Sequence, residues 1–154
     1  MPSRRGSIAM TEEEQGEFLE AGWTLQVASV GPEGWPHLVA MWYAVIDGAI
    51  HFTTFAKAQK VLNLRRDPKV SCMLEAGEEY QELRGLVIEG EAEVVEGDTD
   101  LVLQVMAGIE RKRSGGEPVM PNDVQRKQAS KRAVVRVKPT NVYSWDHRKL
   151  GGVY

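Results

Sequence analysis

Hydroxyl and cationic side chains follow one another where a predicted strand gives way to a predicted helix. Thr53 and Thr54 end the apolar strand, and Lys57 and Lys60 lie in the first turns of the helix predicted at 56–66. Free backbone N–H groups and the positive end of the helix dipole meet at a helix N-terminus, so such side chains can complete an anion site there. The segment therefore predicts a binding site for the phosphate of a cofactor.

The same residues also have a plainer interpretation. A run of charged residues usually forms the solvated face of a helix, and the local sequence taken alone favours that interpretation. The hydroxyls would then simply end a strand. A choice between the two depends on the elements that surround the segment.

Strand and helix signals alternate along the chain. Thr11 with Glu14 forms a capping box for the first long helix, and Asp47-Gly48 between two apolar runs predicts a hairpin. The predicted strands are 25–30, 36–46, 49–53, 69–75, 83–95, 132–138 and 141–145, with helices at 12–21, 56–66, 99–113 and 123–130. Closely spaced strands with helices between them favour a mainly β (α+β) fold in which an antiparallel sheet closes into a small barrel.

Length and charge limit the function classes. The chain has 154 residues, enough for one domain, and its net charge of −3 argues against a general nucleic-acid partner. Residues 1–10 are predicted to be a flexible leader, and residues 11–154 a single domain. The longest apolar run, 38–46, is too short to cross a membrane.

The compartment is predicted to be the cytoplasm. Acidic residues follow Arg4-Arg5 where a signal peptide would have an apolar segment. The single cysteine, Cys72, cannot form an intramolecular disulfide, which fits a reducing environment.

Other common kinds of active site lack their motifs. The three histidines have no metal-ligand spacing with Cys72, and the chain contains neither a Gly-x-Ser-x-Gly nor a Gly-x-Gly-x-x-Gly sequence. We therefore expect no metal site, no serine hydrolase and no Rossmann nucleotide site. The sequence does not identify a catalytic residue or a general acid.

Three segments of the chain resemble one known group of proteins. They are 34–43, which reads GWPHLVAMWY, the stretch 50–68 through the cationic turn to Asp67-Pro68, and 85–92, which reads GLVIEGEA. Together they resemble the FMN-binding split-barrel superfamily, which is related to pyridoxamine 5′-phosphate oxidase. Within it the chain is most similar to the flavin/deazaflavin-dependent oxidoreductases, and the resemblance covers roughly residues 13–147.

The resemblance implies a fold, a cofactor and an activity. It implies an antiparallel split β-barrel with short flanking helices, a homodimer with cofactor pockets at its interface, and hydride transfer to a small unsaturated organic acceptor. The cofactor is coenzyme F420 or FMN, and Trp145-Asp146 modestly favours the deazaflavin. An FMN-binding relative of pyridoxamine-phosphate oxidase and a non-catalytic flavin- or haem-binding module remain open. The short C-terminal region makes a vitamin B6 substrate unexpected.

The resemblance also assigns roles to individual residues. Thr53, Thr54, Lys57 and Lys60 would hold the phosphate, and this reverses the preference for a plain solvated helix. The other candidate cofactor-binding residues are His37, Met41 and Trp42 along the ring, Trp145 as a cover, and Arg65 near the acidic tail of a deazaflavin. For several of these residues, His37 and Trp42 among them, a purely structural role in the core is an open alternative.

Overall fold

Antiparallel strands dominate the computed structural model, which describes residues 3–117 and 120–152. The strands are β1 (Thr24–Val30), β2 (Pro36–Trp42), β3 (Ala44–Ile46), β4 (Ala49–Phe55), β5 (Lys69–Ala76), β6 (Arg84–Glu96) and β7 (Arg132–Asp146). The helices are α1 (Arg4–Ile8), α2 (Glu12–Ala21), α3 (Gln59–Arg66), α4 (Thr99–Arg113) and α5 (Asp123–Ala129), with short 3₁₀ turns at Tyr80–Glu82 and His147–Leu150. In these described ranges, no helix combines the length and the apolar composition needed to cross a membrane.

The seven strands form one sheet whose two edges meet. Its order is β2-β1-β5-β6-β7-β4-β3, so β2 and β3 lie at opposite edges although only Tyr43 separates them in the chain. The sheet must therefore curl until its edges come together. This confirms the predicted mainly β, antiparallel split barrel with flanking helices, while the homodimer remains a prediction.

Tyr43 marks the corner where the barrel closes. Its ring is fully buried, and its hydroxyl donates a hydrogen bond to the Leu19 carbonyl at 2.5 Å. The sequence predicted one strand over 36–46, but the structure divides it at this residue. The chain has to leave one edge of the sheet and join the other, which a single straight strand cannot do.

The last strand shows the opposite difference. Pro139 was expected to interrupt it, yet β7 runs unbroken past this position. β4 pairs with β7 only as far as Arg136, so Pro139 needs no N–H on that side. On the other side it pairs with Gly90 at a shift in register, which forms a β-bulge.

Two apolar clusters stabilise the barrel. The interior cluster contains Phe52 and the predicted alternating set Val70, Cys72 and Leu74. Burial raises the pKa of the Cys72 thiol to about 12, so this side chain behaves as a small apolar residue. A second cluster lies outside the barrel wall, where α4 packs against β3 and β7.

A half-buried lysine fixes α4 at the corner of the barrel. Lys112 Nζ donates to the carbonyl oxygens of Leu19, at 3.1 Å, and Gly22, at 2.9 Å, and lies 3.8 Å from the centre of the Tyr43 ring. Burial lowers the pKa of Lys112 to about 8. The last turns of α4 are thereby held beside the end of β2.

The N-terminal segment carries structure of its own. Residues 4–8 form α1, and Met10 is buried, with its N–H donating to Ser144 Oγ at 2.9 Å. Lys149 Nζ donates to the Ala9 carbonyl at 2.9 Å and pairs with Glu14 at 2.6 Å. The mobility expected of residues 1–10 stays a prediction.

Candidate functional site

A cavity of about 370 Å³ opens where the edge strand β2 approaches β4, the start of β7 and helix α4. Met41 and Trp42 from β2 and Met106 and Ile109 from α4 give it apolar walls. The two helix residues are three positions apart, so they share the face of α4 that meets the barrel. Polarizable and aromatic walls of this kind suit a flat organic ring.

Two polar groups on the cavity have unused hydrogen-bonding capacity. Thr53 is 8% exposed, and its Oγ1 has no partner among the described residues; the same is true of the buried Nε of Arg132. Another guanidinium nitrogen of Arg132 donates to the Thr53 carbonyl at 3.4 Å, and the group lies 4.6 Å from the centre of the Phe55 ring. Buried polar atoms are nearly always paired, so this end of the cavity is built to receive a polar ligand group.

The sheet register brings these two side chains together. Thr53 pairs with Val134 and Phe55 with Arg132 across β4 and β7. Paired residues of antiparallel strands point to the same face, and so do residues two positions apart. Thr53 and Arg132 therefore project on one side of the barrel wall, toward α4.

Lys60 adds a second cation beside Thr54. Its Nζ donates to Thr54 Oγ1 at 3.2 Å, and burial, with a further contribution from Arg132, lowers the pKa of this lysine. Neither Lys60 nor Arg132 forms an ion pair with a carboxylate in residues 3–117 and 120–152. An anion bound between them would relieve their repulsion.

Lys57 lies in the turn that precedes α3. The helix begins at Gln59, three residues later than predicted, because Ala58 N–H bonds the Phe55 carbonyl and keeps the chain in a turn. The N-cap, Ala58, has no side-chain cap, and first-turn N–H groups lack helical acceptors. Lys57 is exposed, whereas Lys60 is half-buried.

His37 lies farther along β2, opposite Ser29. It is half-buried, and its Nδ1 has no partner among the described residues. The alternation of the strand places it on the same face as Met41. Its role as a ring contact stays a prediction.

Two predicted residues lie away from the cavity of their own chain. Arg65, in the last turn of α3, forms an ion pair with Glu96. Trp145 lies over Gly85, near the far end of β7, with roughly 40 Å of strand between it and Arg132. Their assignment to the cofactor stays a prediction.

Sequence reasoning missed the contributions of α4 and of the start of β7. The sequence pattern places Arg132 in a strand and Met106 and Ile109 in a helix, and it does not mark any of them as a cavity residue. Glu110 and Gln125, which also line the cavity, carried no signal. The pairing of β4 with β7, which brings Arg132 to Thr53, has no marker in either segment.

A metal centre finds no support in the described part of the chain. Residues 3–117 and 120–152 contain no group of three or more histidine, cysteine or carboxylate side chains arranged to hold a metal ion. At the buried end of the cavity the polar groups are the Thr53 hydroxyl and the Arg132 guanidinium, which suit an anion.

Comparison with known proteins places this geometry in a family. Residues 11–146 match the family model described as pyridoxamine 5′-phosphate oxidase. A search of curated proteins gave no match.

Three solved structures illustrate the likeness. A conserved hypothetical protein from Mycobacterium tuberculosis is 42% identical, with 99% of this chain and 94% of that chain covered and a TM-score of 0.89. A protein described as an F420 reductase is 26% identical (82% and 93% covered, TM-score 0.61). A FAD-binding protein from Mesorhizobium loti is 16% identical (88% and 94% covered, TM-score 0.67) and supports the fold alone.

Proposed function

The chain belongs to the pyridoxamine 5′-phosphate oxidase family, and from this we propose that it is an oxidoreductase that binds a phosphorylated flavin-type cofactor. The cofactor we propose is the deazaflavin F420, with FMN as the alternative. The reaction is hydride transfer to a small unsaturated organic acceptor.

One observation carries the proposal. Thr53 Oγ1 and Arg132 Nε are buried, lack hydrogen-bond partners among residues 3–117 and 120–152, and belong to residues that line the same cavity. A phosphate oxygen can accept a hydrogen bond from each, and Lys60 beside Thr54 adds a positive charge. The residues present therefore fit the phosphorylated end of such a cofactor.

The remaining cavity residues have binding and shielding roles. Met41 and Trp42 of β2 and Met106 and Ile109 of α4 line the space in which the ring would lie. Their apolar surfaces exclude water from the reacting face. The bound cofactor supplies the hydride chemistry, while the protein orients it and sets its surroundings.

The preference for F420 rests on the likeness to the F420 reductase, whose identity of 26% exceeds that of the FAD-binding protein. FMN has the same kind of phosphate and a similar flat ring. The cavity residues named above would accept either molecule, so binding has to be measured for both.

We further propose that two copies pair through the outer face of the sheet. Leu38 is 66% exposed and Trp42 51% exposed on this face, although both are large and apolar. The pairings Trp42–Thr24, Glu75–Gly85 and Gly85–Trp145, joined by the β1–β5 register in which Gln26 pairs with Met73, place Trp42 and Trp145 in one row across β2, β1, β5, β6 and β7. Counted along the sheet, their backbones are roughly 19 Å apart. A second copy on this face would offer its own Trp145 to the cavity beside Trp42.

Leu38→Arg is expected to convert a dimer into a folded monomer. A guanidinium at an apolar interface loses hydration without gaining a partner, while the exposed position leaves the barrel intact. Light scattering after size exclusion measures the mass, and circular dichroism checks the fold. Leu62→Arg, at a position on α3 that is 46% exposed, is the matched control and should stay dimeric. A wild-type monomer at all concentrations would overturn this part of the proposal.

Lys60→Met is expected to weaken cofactor binding about tenfold. The half-buried ammonium faces the proposed phosphate, and one charge-assisted hydrogen bond contributes roughly 1.5–3 kcal/mol. Lys57→Met, which removes an exposed lysine from the same turn, should weaken binding less. Ligand fluorescence titration gives both dissociation constants. Equal effects of the two substitutions would contradict the placement of the phosphate within reach of Lys60.

The function itself is tested by titrating purified protein with F420 and with FMN, followed by mixing the reduced complex with a quinone or an enone. Tight binding of one cofactor and its oxidation by the acceptor are expected. Binding without oxidation would make the protein a carrier instead. If neither cofactor binds, the proposal is wrong.

A further inference from the structure

One carboxylate lies on a cavity whose other charged group is a cation. Among the described residues that line the cavity, Glu110 is the only acidic one, and Arg132 is the only basic one. The side chain of Glu110 is 36% exposed, whereas Thr53 is almost fully buried. Glu110 therefore lies toward the open side, and the anion-binding groups lie deeper.

The helix holds this carboxylate firmly in place. Val105, five residues before Glu110, is fully buried, and Lys112, two residues after it, is fixed to the carbonyl oxygens of Leu19 and Gly22. A group anchored on both sides along a helix keeps its position when a ligand binds.

Among the described residues, the Glu110 carboxylate makes only one side-chain interaction, and that interaction is weak. Its partner is Arg113, at 3.5 Å, and both side chains are more than a third exposed. Ion pairs of this length and exposure contribute little to stability. Arg113 also lies 4.4 Å from the Trp42 ring, which orients its guanidinium toward the indole. Glu110 keeps hydrogen-bond acceptor capacity on the cavity.

Resting on the proposed function, we propose that Glu110 selects the acceptor by its charge. With the phosphate held at Thr53 and Arg132, the open side of the cavity is where an acceptor approaches. A sulfonate, carboxylate or phosphate on the acceptor would lie near the Glu110 carboxylate and be repelled. The enzyme therefore acts on neutral or cationic acceptors and disfavours anionic ones.

The reduced cofactor and water supply all the atoms and electrons that the reaction needs. A quinone takes up a hydride from the reduced cofactor at one oxygen or carbon and a proton from water, which gives the hydroquinone. The cofactor is left oxidised by two electrons. Glu110 neither gains nor loses a proton in this account, so it is a specificity residue and not a general acid.

The test compares two acceptors in the cofactor-loaded protein, 1,4-naphthoquinone and 1,4-naphthoquinone-2-sulfonate. For each variant the ratio of kcat/KM for the sulfonate to kcat/KM for the neutral quinone is measured. Glu110→Gln is expected to raise this ratio about fivefold at low salt, the size of one unit-charge repulsion across several ångströms of partly solvated space. Added salt should shrink the effect.

Three control variants make the result specific. Glu110→Asp keeps the charge and should keep the wild-type ratio. Arg113→Gln removes the neighbouring positive charge and should lower the ratio. Glu33→Gln removes a carboxylate in the exposed turn between β1 and β2 and should leave the ratio unchanged.

Binding gives a second readout that does not depend on turnover. In the cofactor-loaded protein, Glu110→Gln should tighten naphthalene-2-sulfonate about fivefold and leave 2-naphthol unchanged, as measured by tryptophan quenching. Unchanged ratios in both assays, with the neutral quinone still reduced, would overturn this inference and leave the oxidoreductase proposal standing. A protein that binds neither F420 nor FMN would overturn both.

Discussion

Replacing Arg132 with glutamine is expected to weaken binding of the phosphorylated cofactor by tenfold to a hundredfold. The guanidinium carries a buried Nε that has no partner in the described part of the chain, so its loss removes a charge-assisted hydrogen bond to the phosphate and a positive charge together. Such bonds contribute roughly 1.5–3 kcal/mol, and about 1.4 kcal/mol corresponds to tenfold in affinity. Fluorescence titration with F420 and FMN measures the loss.

Two controls separate phosphate binding from general damage. Lys138→Gln removes an exposed cation from the same strand, with a side chain that is 61% exposed, and should leave the affinity unchanged. Riboflavin, which lacks the phosphate, should bind wild type and Arg132→Gln equally. Equal losses for riboflavin and FMN would mean that Arg132 only supports packing.

Gly90→Ala is expected to destabilise the fold by about 3 kcal/mol, the upper part of the range for overpacked positions. A Cβ at this position would overlap the backbone carbonyl of Lys138 across the bulge, and backbone cannot move aside as a flexible side chain does. The bulge lies where β6 and β7 change register, so the whole pairing has to shift. Urea unfolding gives the change in free energy.

Gly16→Ala is the matched control for that experiment. Gly16 lies inside α2, and a Cβ there meets no atom within 4 Å. Alanine favours a helix over glycine by about 1 kcal/mol, so this variant should be slightly more stable than wild type. A Gly90→Ala protein as stable as wild type would show that the bulge adjusts without cost.

Local signals in the sequence predicted most of the fold. The capping box of Thr11 and Glu14, the turn at Asp47-Gly48 and the full extent of α4 are all confirmed. Two of the failures share a cause, because they depend on which strands are neighbours. Tyr43 divides a strand because the sheet must close there, and Pro139 is tolerated because the pairing of β4 with β7 ends at Arg136, before this proline.

The candidate site was predictable only where one segment builds it. Thr53, Thr54 and Lys60 are close together in the chain; Thr53 lines the cavity, and Lys60 donates a hydrogen bond to the neighbouring Thr54. Arg132 and Glu110 come from segments far along the chain and join them only through sheet pairing and the docking of α4. Their residue types alone resemble ordinary surface charges, so the sequence contained no signal for them.

The most direct test of the account compares each cofactor with its form lacking the phosphate. We predict that FMN binds wild-type protein at least tenfold more tightly than riboflavin, and that F420 does the same relative to its phosphate-free deazaflavin. In Arg132→Gln this advantage should largely disappear. Equal affinity of wild type for the phosphorylated and phosphate-free forms would contradict the claim that Thr53, Lys60 and Arg132 bind a cofactor phosphate.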